Sequence, residues 1–138
     1  MELRQHPFVR ELISLHLPAA DYVVAGSGPL LAHGLRQDVS DLDIVARGDA
    51  WKIASNMAEA AVPPSGHGLR VVLFGGDIEI FDRWLPGARD TDSLINSAEL
   101  IEEIPFCPLS EVLNWKVRSN RVKDKQDVEL IERYMGTA

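Results

Sequence analysis

The chain has 138 residues, of which 46% are hydrophobic and 25% are charged, a composition that suits one globular domain without room for a second large one. The formal net charge of −7 argues against broad, passive attraction to nucleic acid, although a local basic patch could still bind it. The charged N-terminal segment resembles neither a signal peptide nor a membrane span, and the single Cys107 excludes an intramolecular disulfide framework. We therefore expect a cytoplasmic protein with no membrane partner.

Helical and extended patterns alternate in the first half of the chain. Apolar residues recur at helical spacing until Pro18, which lacks the backbone N–H that a helix needs. Gly26 marks a turn after an apolar run, and Asp49 is placed to cap a later helix. The predicted elements are a helix from Leu3 to Leu15, a strand over 22–25, a helix over 29–35, a strand over 41–46 and a helix over about 50–60.

The second half of the chain contains the clearest hairpin pattern. Two apolar runs flank the Gly75-Gly76-Asp77 turn signal, and Ser110 is placed to cap a helix. The predicted elements are strands over 69–74 and 78–81, a helix from Ser110 through Val117 and a helix over about 124–135. Together the elements predict one α+β domain over residues 1–138, with a small mixed sheet and helices packed on it.

Two aspartates lie in the second predicted strand, where a buried strand would carry apolar residues. Successive side chains of a strand point to opposite faces, so Asp41 and Asp43 share one face. Neighbouring carboxylates repel each other unless a cation lies between them, and a divalent ion is the usual solution. The alternative is an edge strand whose acidic face is solvated. Upstream, Gly26 and Ser27 end a strand before a helix, a turn that can present N–H groups and a hydroxyl to phosphate.

The order of these features resembles the nucleotidyltransferase superfamily that includes DNA polymerase β. The signature of that family is an apolar residue, Gly-Gly or Gly-Ser, a spacer, and then Asp-x-Asp or Asp-x-Glu, which AGS at 25–27 and DLD at 41–43 match. The resemblance implies the nucleotidyltransferase fold and a third carboxylate on a neighbouring strand. Glu79 is the candidate, although the family more often has Asp, and Asp82 is the alternative if the register differs by one residue.

The resemblance also implies a chemistry. Asp41, Asp43 and Glu79 would hold two Mg²⁺ ions, while Gly26 and Ser27 would bind the β- and γ-phosphates of a nucleoside triphosphate (NTP). The implied enzyme transfers a nucleoside monophosphate (NMP) to a hydroxyl-bearing acceptor and releases pyrophosphate. The base of the nucleotide is left open.

The C-terminal segment resembles the abortive-infection nucleotidyltransferases and related bacterial toxin enzymes. These often carry Leu-x-x-x-Lys on a helix, followed by Arg-x-Lys-Asp-x-x-Asp. Lys116 matches the helical lysine, which in that family lies near the triphosphate, and its alternative is a solvated helix residue. The residues that match the following segment are Arg121, Lys123, Asp124 and Asp127. Asp124 could cap the last helix, and Asp127 could close that cap or orient Lys116.

The sequence leaves the acceptor and the partners open. A small hydroxylated molecule, a tRNA 3′ end and a protein side chain all suit the reaction. The acidic net charge disfavours tRNA as the acceptor, but a local cluster of basic residues could still bind it. The cluster consists of Lys116, Arg118, Arg121, Lys123 and Lys125. A homodimer or a small partner protein could replace the second domain of larger relatives. The alternative functions are a non-catalytic nucleotide-binding or regulatory protein, such as one half of a toxin–antitoxin pair, and a metal-free scaffold.

Overall fold

A mixed β-sheet forms the centre of the fold. The computed structural model describes residues 2–86, 88–119 and 121–136, and within them the sheet has six strands. The strands are β1 (Tyr22–Ala25), β2 (Leu42–Ala46), β3 (Arg70–Leu73), β4 (Ile78–Phe81), β5 (Glu99–Ile101) and β6 (Ile104–Phe106). Their spatial order is β3-β4-β2-β1-β6-β5. Strand β2 is antiparallel to β1 and parallel to β4, so the expected α+β class with a mixed sheet is confirmed.

Helices cover both faces of this sheet. The α-helices are α1 (Pro7–Ser14), α2 (Gly28–Ala32), α3 (Gly48–Met57), α4 (Thr91–Asn96), α5 (Leu109–Ser119) and α6 (Val122–Met135). Short 3-10 turns occur at Leu3–Gln5, Ala19–Asp21 and Phe74–Gly76. Among the helices within the described residues, none combines the length and the apolar content needed to cross a bilayer.

The hydrophobic core lies on both sides of the sheet. One face packs with α1 and α3, and the other with α4, α5 and α6. Val45 belongs to the second face, and Asp43 shares that face because alternate residues of a strand point the same way. The Asp43 side chain therefore faces the side on which α5 and α6 pack.

Several helix boundaries differ from the predicted ones. The opening helix begins at Pro7 rather than Leu3, because the His6 side chain accepts the Phe8 N–H and forms an N-cap immediately before the proline. Helix α2 ends at Ala32 rather than 35, since Gly34 adopts a positive φ of 74° that an α-helix cannot contain.

Three predicted capping roles are wrong. Asp49 lies in the first turn of α3, whose N-cap is Arg47. Ser110 lies inside α5, which begins at Leu109. Asp124 lies in the first turn of α6, whose N-cap is Arg121. The three helices start two or three residues earlier than a cap at these positions would imply, and the N-cap residues of α3 and α6 make no side-chain capping hydrogen bond.

The predicted strands at 22–25 and 78–81 are confirmed, and the hairpin that joins β3 to β4 is present. Helix α4 and the β5–β6 hairpin were not predicted. The hairpin strands have three residues each, too few to show an alternating pattern, and Glu102 and Glu103 turn the chain with positive φ values where glycine or asparagine is usual.

Candidate metal and nucleotide site

Three carboxylates converge at the centre of the sheet. The parallel pairing of β2 and β4 places Asp43 beside Glu79, and Asp41 lies immediately before β2. One oxygen from each of Asp41, Asp43 and Glu79 lies within 4.8 Å of the others. Carboxylate oxygens are the ligands that Mg²⁺ and other hard cations prefer, so this donor set fits such an ion. The structure brings together the three residues that the sequence suggested for metal binding.

Asp82, the alternative third carboxylate, lies elsewhere. It follows β4, and its Oδ1 accepts a hydrogen bond of 2.8 Å from the backbone N–H of Leu69. Its side chain therefore fixes the loop before β3. The register of β4 selects Glu79 as the member of the carboxylate cluster.

The cluster is electrostatically strained without a cation. Burial, together with the negative charges of Asp41 and Glu79, raises the pKa of Asp43 to about 7. Burial and the neighbouring Asp41 carboxyl also raise the pKa of Glu79, and Arg70 opposes this rise. Arg70 on β3 donates a hydrogen bond of 2.6 Å to Oε1 of Glu79. A bound divalent cation would relieve the repulsion among these groups.

The turn after β1 lies against this cluster. Ala25 pairs with Asp43 across the sheet, and the next residue, Gly26, has a φ of 61°. A Cβ at Gly26 would lie 2.5 Å from Oδ2 of Asp43, so only glycine lets the turn approach the carboxylate this closely. The local sequence thus places the Gly26–Ser27 turn beside the acidic cluster.

We expect Gly26→Ala to weaken metal binding at least tenfold, because the added methyl group must displace the Asp43 carboxylate. The positive φ at residue 26 should also cost the alanine variant about 1–2 kcal/mol of stability. Gly34→Ala is the matched control, since Gly34 has a φ of 74° and no atom within 4 Å of an added Cβ. Urea unfolding and Mn²⁺ titration of both variants test this. Equal metal affinity in the two variants would contradict the proposed contact.

A buried ion-pair network ties the C-terminal helices to the same turn. Nζ of Lys116 on α5 lies 2.8 Å from Oδ2 of Asp127 and 3.2 Å from Oδ1 of Asp124, both on α6. The Lys116 side chain is 1% exposed, and both carboxylates are fully buried. Ser27 Oγ accepts a hydrogen bond of 3.2 Å from Lys116 and donates one of 3.0 Å to Asp127. The network therefore fixes the position of Ser27.

Two arginines complete this network. Arg36 Nε donates a hydrogen bond of 2.6 Å to Oδ1 of Asp127, and Arg121 Nε donates one of 2.7 Å to Oδ2 of Asp124. Arg36 belongs to neither motif of the sequence, and its observed partner is Asp127. The sequence allowed two interpretations of Lys116, and the one that made it a solvated helix residue is wrong, because its side chain is 1% exposed. Of the two roles suggested for Asp127, the geometry supports orientation of Lys116.

The network should make stability depend on pH in acid. Burial alone would raise the pKa of Asp124, but hydrogen bonds from Arg121 and Ser119 and the charge of Lys116 lower it from 3.8 to about 2. A lowered folded-state pKa stabilises the fold above pH 4, and that contribution disappears as the pH falls from about 4 to 2. The shift corresponds to about 2 kcal/mol.

We therefore expect the wild type to lose about 2 kcal/mol more stability between pH 4 and pH 2 than Asp124→Asn does. Asp49→Asn is the control, because Asp49 is an exposed aspartate of α3. Urea unfolding at a series of pH values gives the slopes. Parallel slopes for Asp124→Asn and the wild type would show that Asp124 is not held ionised by the network.

A cavity of about 450 Å³ opens beside the carboxylates and the network. Its lining includes five of the six site residues predicted from sequence: Gly26, Ser27, Asp41, Asp43 and Lys116. Glu79 reaches the site through the carboxylate cluster rather than through the cavity wall. A larger cavity, of about 770 Å³, lies near Trp51 and Trp84 and contains none of these residues. The smaller cavity is therefore the candidate nucleotide site.

The sequence did not indicate two further contributors to this site. Arg70 carries no motif, and only the pairing of β3 with β4 brings it to Glu79. Gln126 on α6 lines the cavity and also belongs to no motif. No protein-family model, curated protein or solved structure significantly matches the chain, so the functional inference depends on the geometry of its own residues.

Proposed function

We propose that this protein is a Mg²⁺-dependent nucleotidyltransferase with the nucleotidyltransferase fold, which transfers an NMP from an NTP to a hydroxyl-bearing acceptor. The observation that carries the proposal is the convergence of Asp41, Asp43 and Glu79 beside the Gly26–Ser27 turn. Three carboxylates that repel one another are costly unless they bind a cation. A glycine turn next to them is suited to phosphates, which such cations accompany.

The carboxylates and the glycine turn would have separate roles in this reaction. Asp41, Asp43 and Glu79 would hold the metal, which when bound supplies a Lewis acid for the phosphoryl oxygens. The Gly26–Ser27 turn would bind the triphosphate through its backbone N–H groups. Glu79 would also help to accept the proton of an acceptor hydroxyl held beside the metal.

The reaction balances without any further reactant. The acceptor oxygen attacks the α-phosphorus and forms the new P–O bond, and the bond to the leaving pyrophosphate breaks. The proton of the acceptor hydroxyl passes to Glu79 and then to solvent. The ion-pair network keeps Ser27 and its turn in one position, so the triphosphate binds a preformed site.

The test is transfer of label from α-³²P NTPs, with Mg²⁺ present, to a panel of small hydroxylated molecules, tRNA and protein. The wild type should label one acceptor class and release pyrophosphate, and Asp41→Asn/Asp43→Asn should do neither. Metal-dependent nucleotide binding without transfer to any acceptor would instead support the non-catalytic regulatory function. Absence of nucleotide binding would leave a metal-free scaffold.

A further inference from the structure

Lys116 has no hydrogen-bond donor left for a ligand. An ammonium group offers three N–H donors and no acceptor. The three partners of Lys116 Nζ are Ser27 Oγ, Asp124 Oδ1 and Asp127 Oδ2, at 3.2, 3.2 and 2.8 Å. Contact with a phosphate would require one of these buried bonds to break and would leave a buried carboxylate with less compensation.

Four basic residues line the cavity: Arg36, Lys116, Arg121 and Lys123. The three besides Lys116 differ in their ion-pair partners. Asp127 pairs with Arg36, and Asp124 pairs with Arg121. Lys123 is exposed and, within residues 2–86, 88–119 and 121–136, forms no ion pair or side-chain hydrogen bond. Of the four cations on this cavity wall, it is the one that pairs with none of the residues that the structure describes.

The position of Lys123 also favours a ligand held beside the carboxylates. It lies in the first turn of α6, on the wall of the cavity that contains Asp41 and Asp43. Its ammonium group therefore shares this cavity with the two aspartates beside which the metal and the phosphates would meet.

We propose that Lys123 is the lysine that contacts the triphosphate, whereas Lys116 holds the turn that receives it. This inference rests on the proposed function. Lys123 is an exposed lysine on a four-carbon stem, so it can reach a bound phosphate without disturbing the fold. The contact adds a charge-assisted hydrogen bond from the Lys123 ammonium group to the phosphate.

Calorimetric titration with Mg²⁺-tripolyphosphate and with each Mg²⁺-NTP tests this assignment. Lys123→Ala should weaken the binding of all these probes about tenfold or more, and Lys123→Arg should retain most of the affinity. Lys125→Ala is the matched control, since Lys125 is an exposed lysine of the same helix that does not line the cavity. Thermal unfolding of each variant confirms that it is folded.

The outcomes separate this inference from the proposed function. If the wild type binds the probes and Lys123→Ala binds them as tightly as Lys125→Ala does, the role of Lys123 is overturned and the nucleotide site stands. If the wild type binds neither tripolyphosphate nor any NTP in Mg²⁺, the proposed function fails, and the assignment of Lys123 fails with it.

Discussion

Replacing Lys116 with methionine should destabilise the protein by about 3–5 kcal/mol, the largest single-residue effect on stability that we expect outside the apolar core. Methionine fills a similar volume, but it leaves the buried carboxylates of Asp124 and Asp127 without the ammonium between them. Urea unfolding at neutral pH measures the loss. The free energy of unfolding should fall while the dependence on urea concentration stays the same.

Two further variants show whether the loss of the Lys116 charge causes this destabilisation. Lys125→Met removes an exposed lysine and should change stability by less than about 0.5 kcal/mol. The triple variant Lys116→Met/Asp124→Asn/Asp127→Asn removes the uncompensated charges and should recover part of the loss. A loss below about 1 kcal/mol in Lys116→Met would mean that the two carboxylates gain water or other partners when the lysine is removed.

Replacing Asp43 with asparagine should have opposite effects on stability and on activity. In EDTA at pH 8, we expect Asp43→Asn to be more stable than the wild type by on the order of 1–3 kcal/mol. Asparagine has nearly the same shape and removes a partly buried charge that Asp41 and Glu79 repel. Transfer of NMP should fall at least a thousandfold, because the metal loses a central ligand.

Asp82→Asn is the control for this variant, since Asp82 comes directly after β4 but lies outside the carboxylate cluster. It should leave transfer unchanged. A less stable Asp43→Asn protein would show that the metal-free fold stabilises the Asp43 carboxylate. Transfer at the wild-type rate in Asp43→Asn would remove Asp43 from the reacting site.

The sequence predicted the central strands and the acidic cluster because both have strong local patterns. The apolar run over Tyr22–Ala25 and the hairpin signal before Ile78 give strands of the expected bounds. Given those strands, alternation alone puts Asp41 and Asp43 on one face. The third carboxylate was implied only by the resemblance, with Glu79 as the candidate and Asp82 as the alternative, and the observed pairing of β2 with β4 selects Glu79.

Of the ion-pair network, the sequence suggested only that Asp127 could orient Lys116. A lysine in a helix is usually solvated, and nothing in the local sequence shows that Lys116 is 1% exposed between two aspartates. That burial depends on how α5 and α6 pack together, a contact between distant side chains and the Ser27 turn. For the same reason, the sequence alone does not show that Lys116 is buried whereas Lys123 is exposed.

Titration of the protein with Mn²⁺, followed by electron paramagnetic resonance of the free ion, tests the central claim most directly, because Mn²⁺ takes the same oxygen ligands as Mg²⁺. The wild type should bind the ion, and Asp82→Asn should bind it equally well. Asp41→Asn/Asp43→Asn and Glu79→Gln should each lose the binding or weaken it strongly. Mn²⁺ binding that is absent from the wild type, or unchanged in the carboxylate variants, would mean that the three carboxylates do not form a metal site.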